Sequence, residues 1–310
     1  MALTLIESYK MALGRDEVVR ASIIEMYARN SPLLAAVPFD DIPGNAFKFN
    51  REKDLPGSAF RGVNEAYAES SGKVDPVTES LAIAGGDLDV DRFLIKTGGP
   101  NVRETQEGLK VKSLALSMTK NIVKGDVDTN PKAFDGFQAR AAGDYKIQAG
   151  TTANGTPLSL LKLDELIDAV ESPTHLIMTK AMARLLNAAS RSTTIGGFIV
   201  HEKDEFGVPI GLYNGLPILK VGKDETNTDI MGFNEVCTSG TNTGTSIYCV
   251  SFGEDGVKGL QTEDMDVRDL GELQTQPLYR TRVEWYITLA QLRLDALARL
   301  WSISSGTVTV

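Results

Sequence analysis

The chain has little of what catalysis and secretion normally require. Only two cysteines occur, Cys237 and Cys249, and only two histidines, His175 and His201. The cysteines are too sparse for a disulfide framework and too far from either histidine to complete a zinc site, so reduced thiols are expected. Two histidines leave few bases for a nucleophilic triad, and no G-x-S-x-G elbow, Walker A loop or G-x-G-x-x-G after a strand is present. The start, MALTLIESYKMALGR, lacks the apolar run of roughly 7–15 residues that follows the basic start of an export signal, and no segment reaches the about 18 consecutive apolar residues of a membrane-spanning helix. Basic charge is also short. Acidic residues number 41 against 32 basic ones, for a formal charge of −9, which repels a phosphate backbone as a bulk effect and argues against a dedicated DNA reader.

Near-matches to reactive motifs fail on inspection. His201-Glu202-Lys203-Asp204-Glu205 begins like a zincin helix, but Glu205 replaces the second histidine and the flanking Phe198-Ile199-Val200 and Gly207 favour strand and turn. Asp126, Asp128 and Asn130 start like a calcium loop, but Pro131 takes the place of the required glycine and Phe137 that of the bidentate glutamate. Ser117-x-x-Lys120 and Ser70-x-x-Lys73 fit a pattern short enough to arise by chance and lack its companion motifs. Asp87, Asp89 and Asp91 alternate on one strand face, to meet solvent or arginines. No catalytic, cofactor-binding or metal-ligating residue is assigned, and no enzymatic activity is expected.

What is present is architectural. Val111, Leu114, Ala115, Met118 and Ile122 share one face at 3.6-residue periodicity. Pro100-Asn101 marks the start of that helix, and Lys120, Lys124 and Gly125 mark its end. Near the carboxyl end, Val283, Trp285, Ile287 and Leu289 alternate with polar residues as in a half-buried strand, expected to pack on the helix stripe. Residues 3–29 read as a helix ended at Asn30-Ser31-Pro32. From Phe47 to Asp91 a strand-like start leads into a long turn-rich stretch poor in aliphatics, which is either disordered or ordered by something outside the subunit. A second α/β unit follows: a helix around Leu163–Val170, a strand at 175–179, a helix around Met182–Ala189, and a hairpin turning at Asn214-Gly215, where both residues tolerate positive φ. Residues 223–244 read as an exposed polar loop before a strand at 246–252.

The blocks GGDLDVDRFL, the amphipathic helix, KGDVDTNPKAFDGF and DVRDLGELQTQPLYRTRVEWYITL together resemble the major capsid proteins of tailed bacteriophages, with their HK97-like fold. The resemblance implies an α+β subunit with an N-terminal arm at 1–46, an extended E-loop at 47–92, a P-domain with the spine helix at 93–145, an A-domain at 146–261, and C-terminal strands completing the P-domain at 262–310. It implies a structural protein that self-assembles into hexamers and pentamers of an icosahedral shell around double-stranded DNA, without sequence-specific binding. A scaffolding protein, supplied separately, and a portal protein are the implied partners, with the virion capsid as location and the host cytoplasm as site of assembly. The same fold would also serve an encapsulin-like compartment enclosing enzyme cargo. Arg51, Arg61 and Glu65 in the loop are candidates for inter-subunit ion pairs; as solvated loop charges they would contribute only about 0–1 kcal/mol each.

Overall fold

The computed structural model describes residues 3–4, 31–98, 101–191, 199–203, 209–238 and 240–309. Strand β1 (Leu3–Thr4) pairs antiparallel with β2 (Pro38–Asp41), and helix α1 (Pro32–Ala36) lies between them in sequence. Leu3 and Thr4 therefore depart from the helix expected over 3–29; the remainder of that segment lies outside the described residues. The Asn30-Ser31-Pro32 break starts a helix as well. Ser31 Oγ accepts from the Leu34 N–H at 3.3 Å and Pro32 occupies the first turn, where a missing N–H costs nothing.

Strands β3 (Ala46–Asp54) and β4 (Lys73–Ser80) form a separate antiparallel hairpin. Next come β5 (Ala82–Asp91), α2 (Arg92–Gly98) and the long helix α3 (Asn101–Lys124), whose 24 residues make a rod of about 36 Å. Its ends fall where the sequence places them. Gly125 follows directly, packed so tightly that a Cβ there would lie 2.3 Å from the Phe134 carbonyl oxygen. Short helix α4 (Phe137–Arg140) leads to β6 (Lys146–Gln148), α5 (Leu160–Asp168), β7 (His175–Thr179), α6 (Lys180–Ser190), β8 (Ile199–Lys203), β9 (Pro209–Tyr213) and β10 (Leu216–Val221). The turn between β9 and β10 has φ of 50° at Asn214 and 79° at Gly215, as their residue types anticipate. The chain finishes with β11 (Glu235–Val236), β12 (Asn242–Val250), β13 (Val257–Gln261), β14 (Asp266–Glu272), β15 (Leu278–Gln291) and β16 (Leu297–Ile303).

Two large sheets result. In the first, β15 is the organiser: at 14 residues, about 46 Å, it is long enough for β13 and β14 to line one edge in succession while β5 lines the other. The second runs β6-β16-β12-β7-β10-β9-β8, with β11 added to β12. Val111, Ala115, Met118 and Ile122 of α3 are buried in one core with Val283, Trp285, Ile287 and Leu289 of β15, so helix stripe and strand pack as their periodicities require. Trp285 packs against Phe39 in a tilted arrangement with ring centroids 5.1 Å apart and donates from Nε1 to Gln261 Oε1 at 2.9 Å. A second core joins Leu163, Leu166, Met182 and Leu186 of α5 and α6 to Leu176, Ile218, Ile247 and Leu300 of the second sheet.

The segmentation differs from expectation in two places. Residues 82–91, expected within the loop, form a full strand of the first sheet, because Asp87 and Asp89 meet Arg282 and Arg280 across the ladder in two-pronged pairs of 2.7–2.9 Å. The segment 262–310 does not all complete the first sheet either. β16 sits inside the second sheet between β6 and β12, and β13, placed before residue 262, belongs to the first. The near-continuous burial of β16 suits an interior position covered on both faces, whereas β15 alternates over its first half.

Candidate assembly surface

The hairpin β3–β4 stands apart from both sheets. Its root is apolar: Phe47, Phe49 and Leu81 pack on the small cluster of Ile42, Leu260 and Ala290. Beyond the root its residues are exposed, and the connecting loop closes on itself through short-range bonds. Ser70 Oγ donates to the Gly57 carbonyl at 2.8 Å, the Gly62 N–H donates to Glu65 Oε2 at 2.8 Å, and Arg61 Nη1 donates to the Glu65 carbonyl at 3.2 Å. Lys53–Asp75 and Lys73–Asp54 pairs at 3.1 and 3.4 Å tie the two strands together near the loop. The turn-rich stretch is thus an ordered arm with little body contact.

On this arm lie large apolar side chains that stay mostly exposed. Leu55, Phe60, Val63 and Tyr67 are respectively 79, 108, 92 and 64 % exposed. Apolar surface kept out of water stabilises by about 25 cal/mol per Å², so a concentration of such residues on a projecting arm makes it a candidate contact surface. Sequence reasoning named the loop charges and not these residues; the available signal for them was aromatic and aliphatic side chains inside a stretch too turn-rich to have a core of its own.

The three charged candidates separate by position. Arg51 sits at the hairpin root, where Nη2 donates to the Gln291 carbonyl of its own chain at 2.9 Å and its guanidinium lies 5.8 Å from the Phe49 ring centroid. Burial, and next the charge of Arg140, hold its pKa below the ordinary arginine value. Arg61 and Glu65 share the tip, with Arg61 5.1 Å over the Tyr67 ring, so both are partly spent on shaping the loop. Arg51 is occupied within its subunit because the end of β15 offers carbonyls along an open edge, a feature invisible in sequence.

The two histidines and two cysteines lie apart from the arm. His175 is pushed down to about 4 by burial, beside the Phe252 ring and 3.0 Å from Thr174 Oγ1, and is therefore neutral near pH 7. His201 lies exposed on β8, which is a strand, as the flanking residues of the zincin-like sequence indicated. Cys237 and Cys249 are free and buried, and burial pushes the Cys249 thiol up to about 12. Where α3 meets the second sheet, Lys124 and Arg299 flank the buried Glu235 carboxylate at 3.2 and 3.0 Å, and Ser246 also hydrogen-bonds it. Lys120 pairs with Asp224 at 3.0 Å. The basic end of the helix thus grips the second unit through two carboxylates. No described helix is long and apolar enough to cross a membrane.

A family model described as Major capsid protein GP7 matches residues 15–156, a span that contains the hairpin and the long helix. No curated protein matches the chain. Among solved structures, the SrpI encapsulin of Synechococcus elongatus superposes with a TM-score of 0.66 at 18 % identity over 90 % of this chain and 89 % of that one. The capsid of a native GTA particle gives 0.62 at 13 % identity over 90 % of both chains. Microbacterium phage Oxtober96 gives 0.61 at 12 % identity over 90 % of this chain and 91 % of that one. At such identities these likenesses establish the fold, and they extend over nine-tenths of the chain.

Proposed function

We propose that this chain, which has the HK97-like fold, is a major capsid protein and that it closes into an icosahedral shell of hexamers and pentamers around double-stranded DNA. The observation that supports this reading best is the projecting hairpin with its uncovered Leu55, Phe60, Val63 and Tyr67. A heterologous contact, in which the arm of each subunit lies on the next, generates rings when the rotation closes. Each subunit both gives and receives an arm. Many such contacts of modest strength let misplaced subunits leave before the lattice is complete, while the finished shell persists because every subunit is held on several sides. Arg61 and Glu65, at the arm tip, supply polar rim contacts to the apolar centre formed by Phe60 and Val63.

In this reading the role is structural. A scaffolding protein, a portal at one vertex and packaged DNA complete the particle, which forms in the host cytoplasm, and DNA is held without sequence preference, in keeping with the chain's net charge of −9. The likeness to an encapsulin keeps a second reading in view: a cellular compartment with enzyme cargo. Electron microscopy and mass determination on the chain expressed alone test the assembly. Closed shells, tubes or rings of five and six are expected, and a monodisperse one- or two-chain species that never assembles at high concentration would overturn it. Particles recovered from the native source then separate the two readings, since DNA inside supports the capsid and an enzyme inside supports the compartment.

A further inference from the structure

The arm must leave the subunit body in a defined direction if the next subunit is to receive it, and the structure contains a built device at the point of departure. β5 pairs with β15 only as far as Ala82 opposite Ile287, and β15 continues to Gln291. On its other edge β15 remains paired with β13, and the Leu292 N–H donates to the Gly256 carbonyl just beyond. Strand alternation then turns the carbonyls of Leu289 and Gln291 toward the edge that β5 has left. Unpaired backbone acceptors at a partly buried edge demand donors. Two arginines supply them: Arg140 Nη2 donates to Leu289 O at 2.8 Å and Arg51 Nη2 donates to Gln291 O at 2.9 Å.

The two arginines come from different parts of the chain, Arg51 from the arm and Arg140 from the body at the end of α4. Brought together they repel, and the Arg140 charge is among the causes that lower the Arg51 pKa. Glu79, on the other arm strand, resolves the repulsion. Its carboxylate accepts from Arg140 Nη1 at 2.6 Å and from Nη2 at 3.0 Å, and both side chains are largely buried. Arg140 is held in turn by its Nε donating to the Asp135 carbonyl at 2.8 Å. One arm strand thus binds the body through Arg51 and the other through Glu79, on either side of an Arg140 whose fork is fixed by backbone.

We infer that Glu79 and Arg140, with Arg51, are positioning residues for assembly: they latch the arm to the end of β15 and set the direction in which it is offered to the neighbouring subunit. The inference rests on the shell reading for its consequence, but the latch itself is a property of the single subunit. The test is therefore in two parts. Hydrogen exchange on unassembled subunits compares wild type with Glu79→Gln and with the conservative Glu79→Asp. In Glu79→Gln, amides of 46–54 and 73–80 are expected to exchange at least tenfold faster while those of β12 and β16 are unchanged. Glu79→Asp, which keeps the charge, is expected to recover part of the protection. Unchanged exchange in the arm, or an equal rise in both sheets, would overturn the latch; the second result would make Glu79 an ordinary stability residue.

Particles of Glu79→Gln are then imaged beside wild type. Particles of mixed diameter or open sheets are expected, and uniform wild-type particles formed despite a loosened arm would overturn the positioning role. If wild type itself forms no particles, it is the shell reading that fails, while the exchange result still decides the latch.

Discussion

The arm hairpin β3–β4 and the strand β15 begin from similar sequence patterns and end in opposite environments. β15 alternates apolar and polar residues from Val283 to Leu289, and β3 does the same over its first residues, Phe47 to Asn50. In β15 the apolar set, Val283, Trp285, Ile287 and Leu289, is buried against the stripe of α3. Along the arm, burial fades within a few residues of Phe47 and Phe49, and the apolar residues of the connecting loop lie in water. The difference lies in what faces each strand. A strand with a helix above it completes a core inside one subunit, and the arm leaves its apolar residues exposed, the surface that the proposed shell would cover.

The comparison is tested first where burial is deepest. Trp285→Ala removes the ring packed against Phe39 and leaves Gln261 Oε1 without the indole donor, so unfolding by denaturant should show a loss of about 3–5 kcal/mol. Next is the pH response of the second unit. His175 titrates near 4 when folded against 6.5 ordinarily, so the unfolded chain takes up the proton first as pH falls. Stability contributed by the neutral, buried ring is full above about 6.5 and is lost as pH drops toward 4. At about 1.4 kcal/mol per unit the loss is at most about 3.5 kcal/mol, and His175→Gln should flatten that part of the curve. A smaller effect is expected at Gly259, where a Cβ would lie 2.3 Å from the buried Phe39 ring. Gly259→Ala should cost about 1–3 kcal/mol by overpacking, read as a lowered midpoint at unchanged slope. Smallest in the single subunit is Phe60→Ser, which should stay within about 0.5 kcal/mol of wild type because the ring touches little in its own chain. The same change should nevertheless reduce particle yield in electron micrographs. A Phe60→Ser chain that unfolds like Trp285→Ala would erase the contrast between the regions.

Much of the architecture was legible. The long helix was bounded correctly because its stripe and its terminal lysines and glycine are local signals, and the hairpin at Asn214-Gly215 follows from two residues that accept positive φ. The sheet to which β16 belongs was not legible, since a strand buried on both faces carries no mark of its neighbours. The assembly surface was half legible. Its place in the chain followed from the turn-rich composition, but Arg51, Arg61 and Glu65 were chosen over the apolar residues because charge is conspicuous in a polar stretch. Arg51 then proved to serve the open end of β15, some 240 positions away in sequence.

The sequence by itself determined the helices, most strands, the turn chemistry and the absence of recognised catalytic motifs, because each depends on residues within a few positions of one another. Tertiary structure alone decided which strands share a sheet, which arginine meets which carbonyl, and which apolar residues remain in water. Those outcomes depend on distances between segments far apart in the chain, and no local period encodes them.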